Sequence, residues 1–187
     1  LVSGQSIGPV LSPRDEEVLR RMLRSATALA VRERSSYEWC RENDLKALAG
    51  VDDASDYRAH TPEITLDYAD ARVEVPELPE RYVCVTVHEV SGNKVHELAA
   101  LLDKIYSEYG LAAGFLGHMG DPASEGGRTG DYKAHELVAA SMTSSATVIP
   151  ILHADATVRS HQGAAVNITD RYHPAVCSLR AGIPADA

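Results

Sequence analysis

Eight histidines occur in the 187 residues, and three of them follow apolar, strand-like runs. Tyr82 to Val87 leads into His88 and Glu89, and Leu111 to Leu116 leads into Gly117-His118-Met119-Gly120-Asp121. Thr147 to Leu152 leads into His153-Ala154-Asp155. Imidazole changes charge near neutral pH and also ligates metals, so such positions suit proton transfer or metal chemistry. In open α/β sheets the ligand crevice lies outside the carboxyl ends of the strands. Three parallel neighbouring strands would therefore bring these histidines and acids to one edge. An antiparallel strand would send its histidine to the far edge.

His153 and Asp155 form an H-x-D pair. In an extended segment alternate side chains share a face, so one divalent ion, zinc or similar, could take both. His161 and Asp121 are the further ligands this reading supplies. A bound ion would polarise the substrate or activate water. Without metal, His118 or His153 would move the proton and Asp155 would orient the imidazole. The catalytic set expected is thus His118, His153 and Asp155. The structural alternative leaves the histidines as surface or helix-cap groups.

Ser91-Gly92-Asn93-Lys94 joins the clearest strand to the clearest helix. Free N–H groups at a helix start, with a lysine beside them, favour a phosphate or carboxylate. These four residues are the expected substrate-binding turn; the alternative is an ordinary Ser or Asn N-cap. The pattern of a Walker loop is missing. Residues 117–130 carry five glycines, which either bring backbone close to a ligand or form a mobile lid. Nucleophiles are poorly represented, because Cys84 lies inside a strand-like run and no G-x-S-x-G elbow exists.

The elements that must position these groups follow from periodicity. Ser12-Pro13 with Asp15 marks an N-cap, and Val18, Leu19, Met22, Leu23, Ala26, Leu29 and Ala30 predict a helix over about 13–33. A second helix is predicted over about 36–48, closed by Gly50. Ile64, Leu66 and Tyr68 alternate as in a strand, and Val73 and Val75 suggest another. Tyr82 to Val90 reads as a strand, 93–109 as a helix capped by Gly110, and Leu111 to Leu116 as a buried strand. A helix follows from Asp131, then a strand at Thr147 to Leu152 that Pro150 moves to an edge or bulge. The passage 82–116 fits a βαβ unit or a ferredoxin-like split βαβ.

Composition bounds the rest. Net charge is −9, with no dense Lys/Arg cluster, which argues against a nucleic-acid partner. No apolar run is long and uncharged enough for a membrane span. Three scattered cysteines, Cys40, Cys84 and Cys177, read as reduced thiols of a cytoplasmic protein. Arg20, Arg21, Arg24, Arg32 and Arg34 are offset by neighbouring acids and read as a solvated face or a subunit contact, the latter in a homo-oligomer. The expected fold is a single α/β (or α+β) domain, residues 1–187, with a mixed sheet of about five strands. Residues 1–50 are read as a helical N-terminal segment. The expected function is a small enzyme, hydrolase or lyase, acting on a polar or anionic metabolite. The alternative is a non-catalytic ligand-binding or assembly subunit with a ferredoxin-like core, whose small-molecule ligand is an effector.

Overall fold

In the computed structural model, residues 1–8, 12–56, 76–121, 128–152 and 154–186 are described. The contacts divide the chain into two compact units, Leu1–Tyr57 and Arg58–Ala187. The strand-like alternations at Ile64 to Tyr68 and Val73 to Val75 lie outside the described residues.

The first unit begins with β1 (Val2–Gln5) and α1 (Pro13–Arg24). Ser12 caps α1, its Oγ accepting the Asp15 N–H at 3.2 Å, with Pro13 opening the first turn. The helix ends at Arg24 rather than near residue 33. Leu29 and Ala30, which extended the helical count, lie instead in a three-residue strand, β2 (Leu29–Val31), with Leu29 and Val31 buried. α2 (Arg34–Glu42) and β3 (Leu48–Ala49) follow. The strands pair in parallel in the order β1-β2-β3 around Leu23, Leu29, Val31, Cys40 and Leu45. The N-terminal segment is therefore not helical throughout. Strands of two to four residues are too short to print a period of two.

The second unit is a regular alternation: β4 (Tyr82–Thr86), α3 (Asn93–Tyr109), β5 (Ala112–Leu116), α4 (Asp131–Ser141), β6 (Ala146–Ile149), α5 (Ala154–Gln162), β7 (Val166–Thr169), α6 (Tyr172–Arg180) and β8 (Ala185–Asp186). All five strands are parallel, in the order β6-β5-β4-β7-β8. The expected α/β class holds. The mixed sheet does not, and a wholly parallel sheet removes the ferredoxin-like alternative.

Every residue of β4 and β5 is buried, as befits parallel strands covered on both faces. Val83, Val85, Ala113 and Phe115 pack on one face against Val95, Ala99 and Leu102 of α3 and Val138 of α4. Tyr82, Cys84, Leu116 and Ile149 face the other way, toward Leu152, Ala156 of α5 and Ala164. α3 matches its predicted bounds, and Gly110 caps it in the left-handed conformation at φ 66°. In α4 Val138 takes the core position and Leu137 is exposed. β6 is an edge strand, where a following Pro150 costs no sheet bond.

From β4 the chain winds outward through β5 to β6. It then crosses back through α5 to β7 on the opposite side of β4 and continues to β8. The winding direction thus reverses between β4 and β7, the place where a doubly wound sheet opens a crevice at its carboxyl edge.

Candidate functional site

The loops leaving β4, β5 and β7 meet at that crevice. β4 ends early because the Val87 N–H, instead of pairing in the sheet, donates to His135 Nε2 of α4 at 3.2 Å. His88 comes next, its backbone N–H donating to both carboxylate oxygens of Asp170 at 3.0 Å. Asp170 and Arg171 directly follow β7, so β4 and β7 deliver adjoining polar residues to the switch point.

Asp131, the first residue of α4, is the hub. Its carboxylate is buried and accepts the backbone N–H groups of His118 at 3.0 Å and Met119 at 2.9 Å. Its other oxygen accepts Arg171 Nη2 at 2.6 Å and lies 3.4 Å from His88 Nδ1. Burial pushes the carboxyl upward, but the Arg171 hydrogen bond and the two N–H groups outweigh this and hold it below its ordinary value. Asp131 is therefore a carboxylate at neutral pH. Gly130 permits this approach: at φ 56°, an added Cβ would sit 1.9 Å from the Met119 carbonyl oxygen.

Arg171 Nη2 also donates to His88 Nδ1 at 2.6 Å, so both Nη2 hydrogens are placed. Among the described residues its Nε is buried with no hydrogen-bond partner. About a fifth of the side chain, 22%, remains open to solvent. Arg171 is thus a cation fixed from behind, with part of its fork left over.

His118 lies beside this group and meets His161 of α5, Nε2 to Nε2, at 2.7 Å. His161 is fully buried, and its Nδ1 lies 3.3 Å from Cys84 Sγ and 3.4 Å from Ser178 Oγ. Burial, reinforced by the neighbouring His161, lowers His118 to about 3, and burial alone lowers His161 to about 4. His135 falls to about 4 for the same reason. All three imidazoles are neutral at physiological pH.

Of the strand-end histidines, the structure brings His88 and His118 together around Asp131, on parallel β4 and β5. β6 is parallel to β5 and adjacent to it, but His153 lies outside the described residues. Asp155 falls in the first turn of α5, not in an extended segment, so the alternation that would align it with residue 153 does not apply. His161 has both ring nitrogens against protein groups, and Asp121 is exposed with its N–H on Thr129 Oγ1 at 2.8 Å. Among the described residues no three His, Cys, Asp or Glu side chains are grouped as a metal site. The metal-binding reading therefore gains no support. Ser91 to Lys94 are exposed; Gly92 takes the N-cap position of α3 with no side-chain bond, so the alternative of a Ser or Asn cap does not hold.

Arg171, Asp131 and His135 are not among the site residues expected from the sequence. Arg171 carries the same signal as the histidines, a polar residue just past an apolar run, here Ala164 to Ile168. Searching strand ends for cations as well as imidazoles finds it.

Fold and site together define a doubly wound α/β protein whose switch point carries one arginine, two carboxylates and a group of histidines. The family model for polysaccharide pyruvyl transferase matches residues 1–185. The chain belongs to that family. No curated protein and no solved structure matches it. Membership corrects the expected chemistry: the family name describes group transfer, not the hydrolysis or lyase reaction on a small metabolite inferred from the histidines. No described helix is long and apolar enough to cross a membrane.

Proposed function

We propose that the chain takes part in moving a pyruvyl group onto a saccharide hydroxyl, and that the β4/β7 crevice holds the pyruvyl end. Arg171 carries this reading. A pyruvyl group brings a carboxylate, and a planar guanidinium is the side chain best matched to one. Arg171 is pinned by Asp131 and His88, so little is lost in ordering it when the anion arrives. His118, neutral beside it, is placed to hydrogen-bond an oxygen of the transferred group. His88 fixes the Arg171 fork. The acceptor class, a polysaccharide, rests on the family.

Free pyruvate has no leaving group, so the donor must be an activated form, of which the enol phosphate is the simplest. Supplying that donor with an acceptor polysaccharide should yield a product heavier by one pyruvyl group, read by mass spectrometry. Arg171→Ala should raise the donor KM by about tenfold or more, the scale of one or two hydrogen bonds to a charged group. The acceptor KM should move far less. An unchanged donor KM would take the carboxylate away from Arg171.

A further inference from the structure

We infer that His161 is a positioning residue that fixes the tautomer of His118, leaving Nδ1 of His118 as its protonated, donating nitrogen. The inference deepens the proposed reaction and rests on it only for its use.

The two rings meet at 2.7 Å with centroids 4.9 Å apart, so one Nε2 donates and the other accepts. Which does so is decided on the far side of His161. Its Nδ1 faces the Cys84 thiol and the Ser178 hydroxyl, both buried. Asn167 Nδ2 donates to Ser178 Oγ at 2.8 Å, so the Ser178 hydrogen must point elsewhere. Burial pushes the Cys84 thiol well above its ordinary range, so it too keeps its hydrogen. The Cys84 thiol also has the Thr86 hydroxyl beside it, so the deciding hydrogen is that of Ser178, for which His161 Nδ1 is the acceptor recorded among the described residues. Were Nδ1 protonated, the buried Ser178 hydrogen would lose that acceptor, and a buried donor without a partner is disfavoured.

His161 Nδ1 is therefore bare and its Nε2 carries the proton. It donates to His118 Nε2, which must be the bare nitrogen of a neutral ring. The remaining proton of His118 sits on Nδ1. A neutral imidazole in this state polarises an oxygen by hydrogen bonding and does not give the proton up. That role differs from the general base that a strand-end histidine first suggests. The relay runs from α6 through α5 to the end of β5, and no step moves a proton along it.

Two-bond proton–nitrogen correlation spectra of the uniformly labelled full chain, without substrate, read both tautomers directly. At neutral pH His118 should show a protonated Nδ1 and a bare Nε2, and His161 the reverse. His161→Phe keeps ring volume without the donor, so His118 should relax to a mixture of tautomers. His161→Gln, whose amide can donate from the same end, should restore the Nδ1-protonated form. A wild-type His118 protonated at Nε2 overturns the inference even if no variant folds. So does an unchanged His118 signal in His161→Phe. Absence of pyruvyl transfer would sink the proposed function and leave these spectra untouched. Transfer with the reversed tautomer would sink the relay alone.

Discussion

Arg171 Nη2 and Asp131 Oδ1 form a 2.6 Å ion pair in which the carboxylate is wholly buried and the guanidinium keeps one side open. The asymmetry separates two jobs. The acid holds the loop after β5 through two backbone N–H groups, and the guanidinium keeps part of its surface open to solvent. Removing either partner leaves the other's charge uncompensated, but only the loss of Asp131 also releases the backbone of His118.

Asp131→Ala should accordingly cost about 3–5 kcal/mol, the usual penalty for breaking a buried pair from one side. A urea titration of wild type and variant measures it. A loss under about 1 kcal/mol would mean that water already reaches the pair.

Acid should unfold the second unit through its histidines. His118, His161 and His135 have folded values of about 3, 4 and 4, below the ordinary 6.5. The unfolded chain then binds more protons than the folded one below pH 6.5, so stability falls as pH drops toward 4. Each group adds a slope of up to about 1.4 kcal/mol per pH unit across that window. Melting temperature against pH tests this, and His135→Gln should flatten the slope. A stability curve flat between pH 7 and 4.5 would contradict the burial of all three.

Gly130→Ala meets backbone, not a flexible side chain, because the new Cβ would sit 1.9 Å from the Met119 carbonyl oxygen. The loop after β5 must shift, and Asp131 with it. The loss should exceed the roughly 1 kcal/mol that a positive φ alone costs an alanine. Donor binding should weaken alongside the melting temperature. Gly92→Ala, where nothing lies within 4 Å, is the control and should pay only the conformational part.

Leu102 lies in the α3 core at 1% exposure, packed against the β4 and β5 face. Leu102→Ala should cost about 2–5 kcal/mol in a denaturant titration. A loss below about 0.5 kcal/mol would place the α3 stripe in solvent.

How far the sequence could be read depended on what each element buries. β4, α3 and β5 were legible because they bury apolar residues: Val83, Val85, Leu102 and Phe115 print clear patterns. α5 was not, because its inward face is largely polar, with Thr157, Ser160 and His161 buried beside Ala156 and Val158. A hydrophobic period cannot register a helix whose buried stripe is made of hydrogen-bonding groups. The same blindness misplaced His161, taken for a metal ligand when its partners are another imidazole, a thiol and a hydroxyl. The meeting of His88 and His118 was legible from strand ends alone. Arg171 follows the apolar run Ala164 to Ile168 by three residues, so strand-end imidazoles alone do not point to it.

The reversal of winding at β4 also has a kinetic side. The β4–α3–β5 unit closes through neighbouring stretches of chain, whereas Arg171 lies 83 residues from His88. Non-local closures of this kind come late in folding, since loop entropy must be lost before the contact rewards it. Substitutions at Arg171 should therefore quicken unfolding and leave the refolding rate nearly untouched, while Leu102→Ala slows refolding. During synthesis the nascent chain would expose Asp131 as a half-made pair until β7 docks.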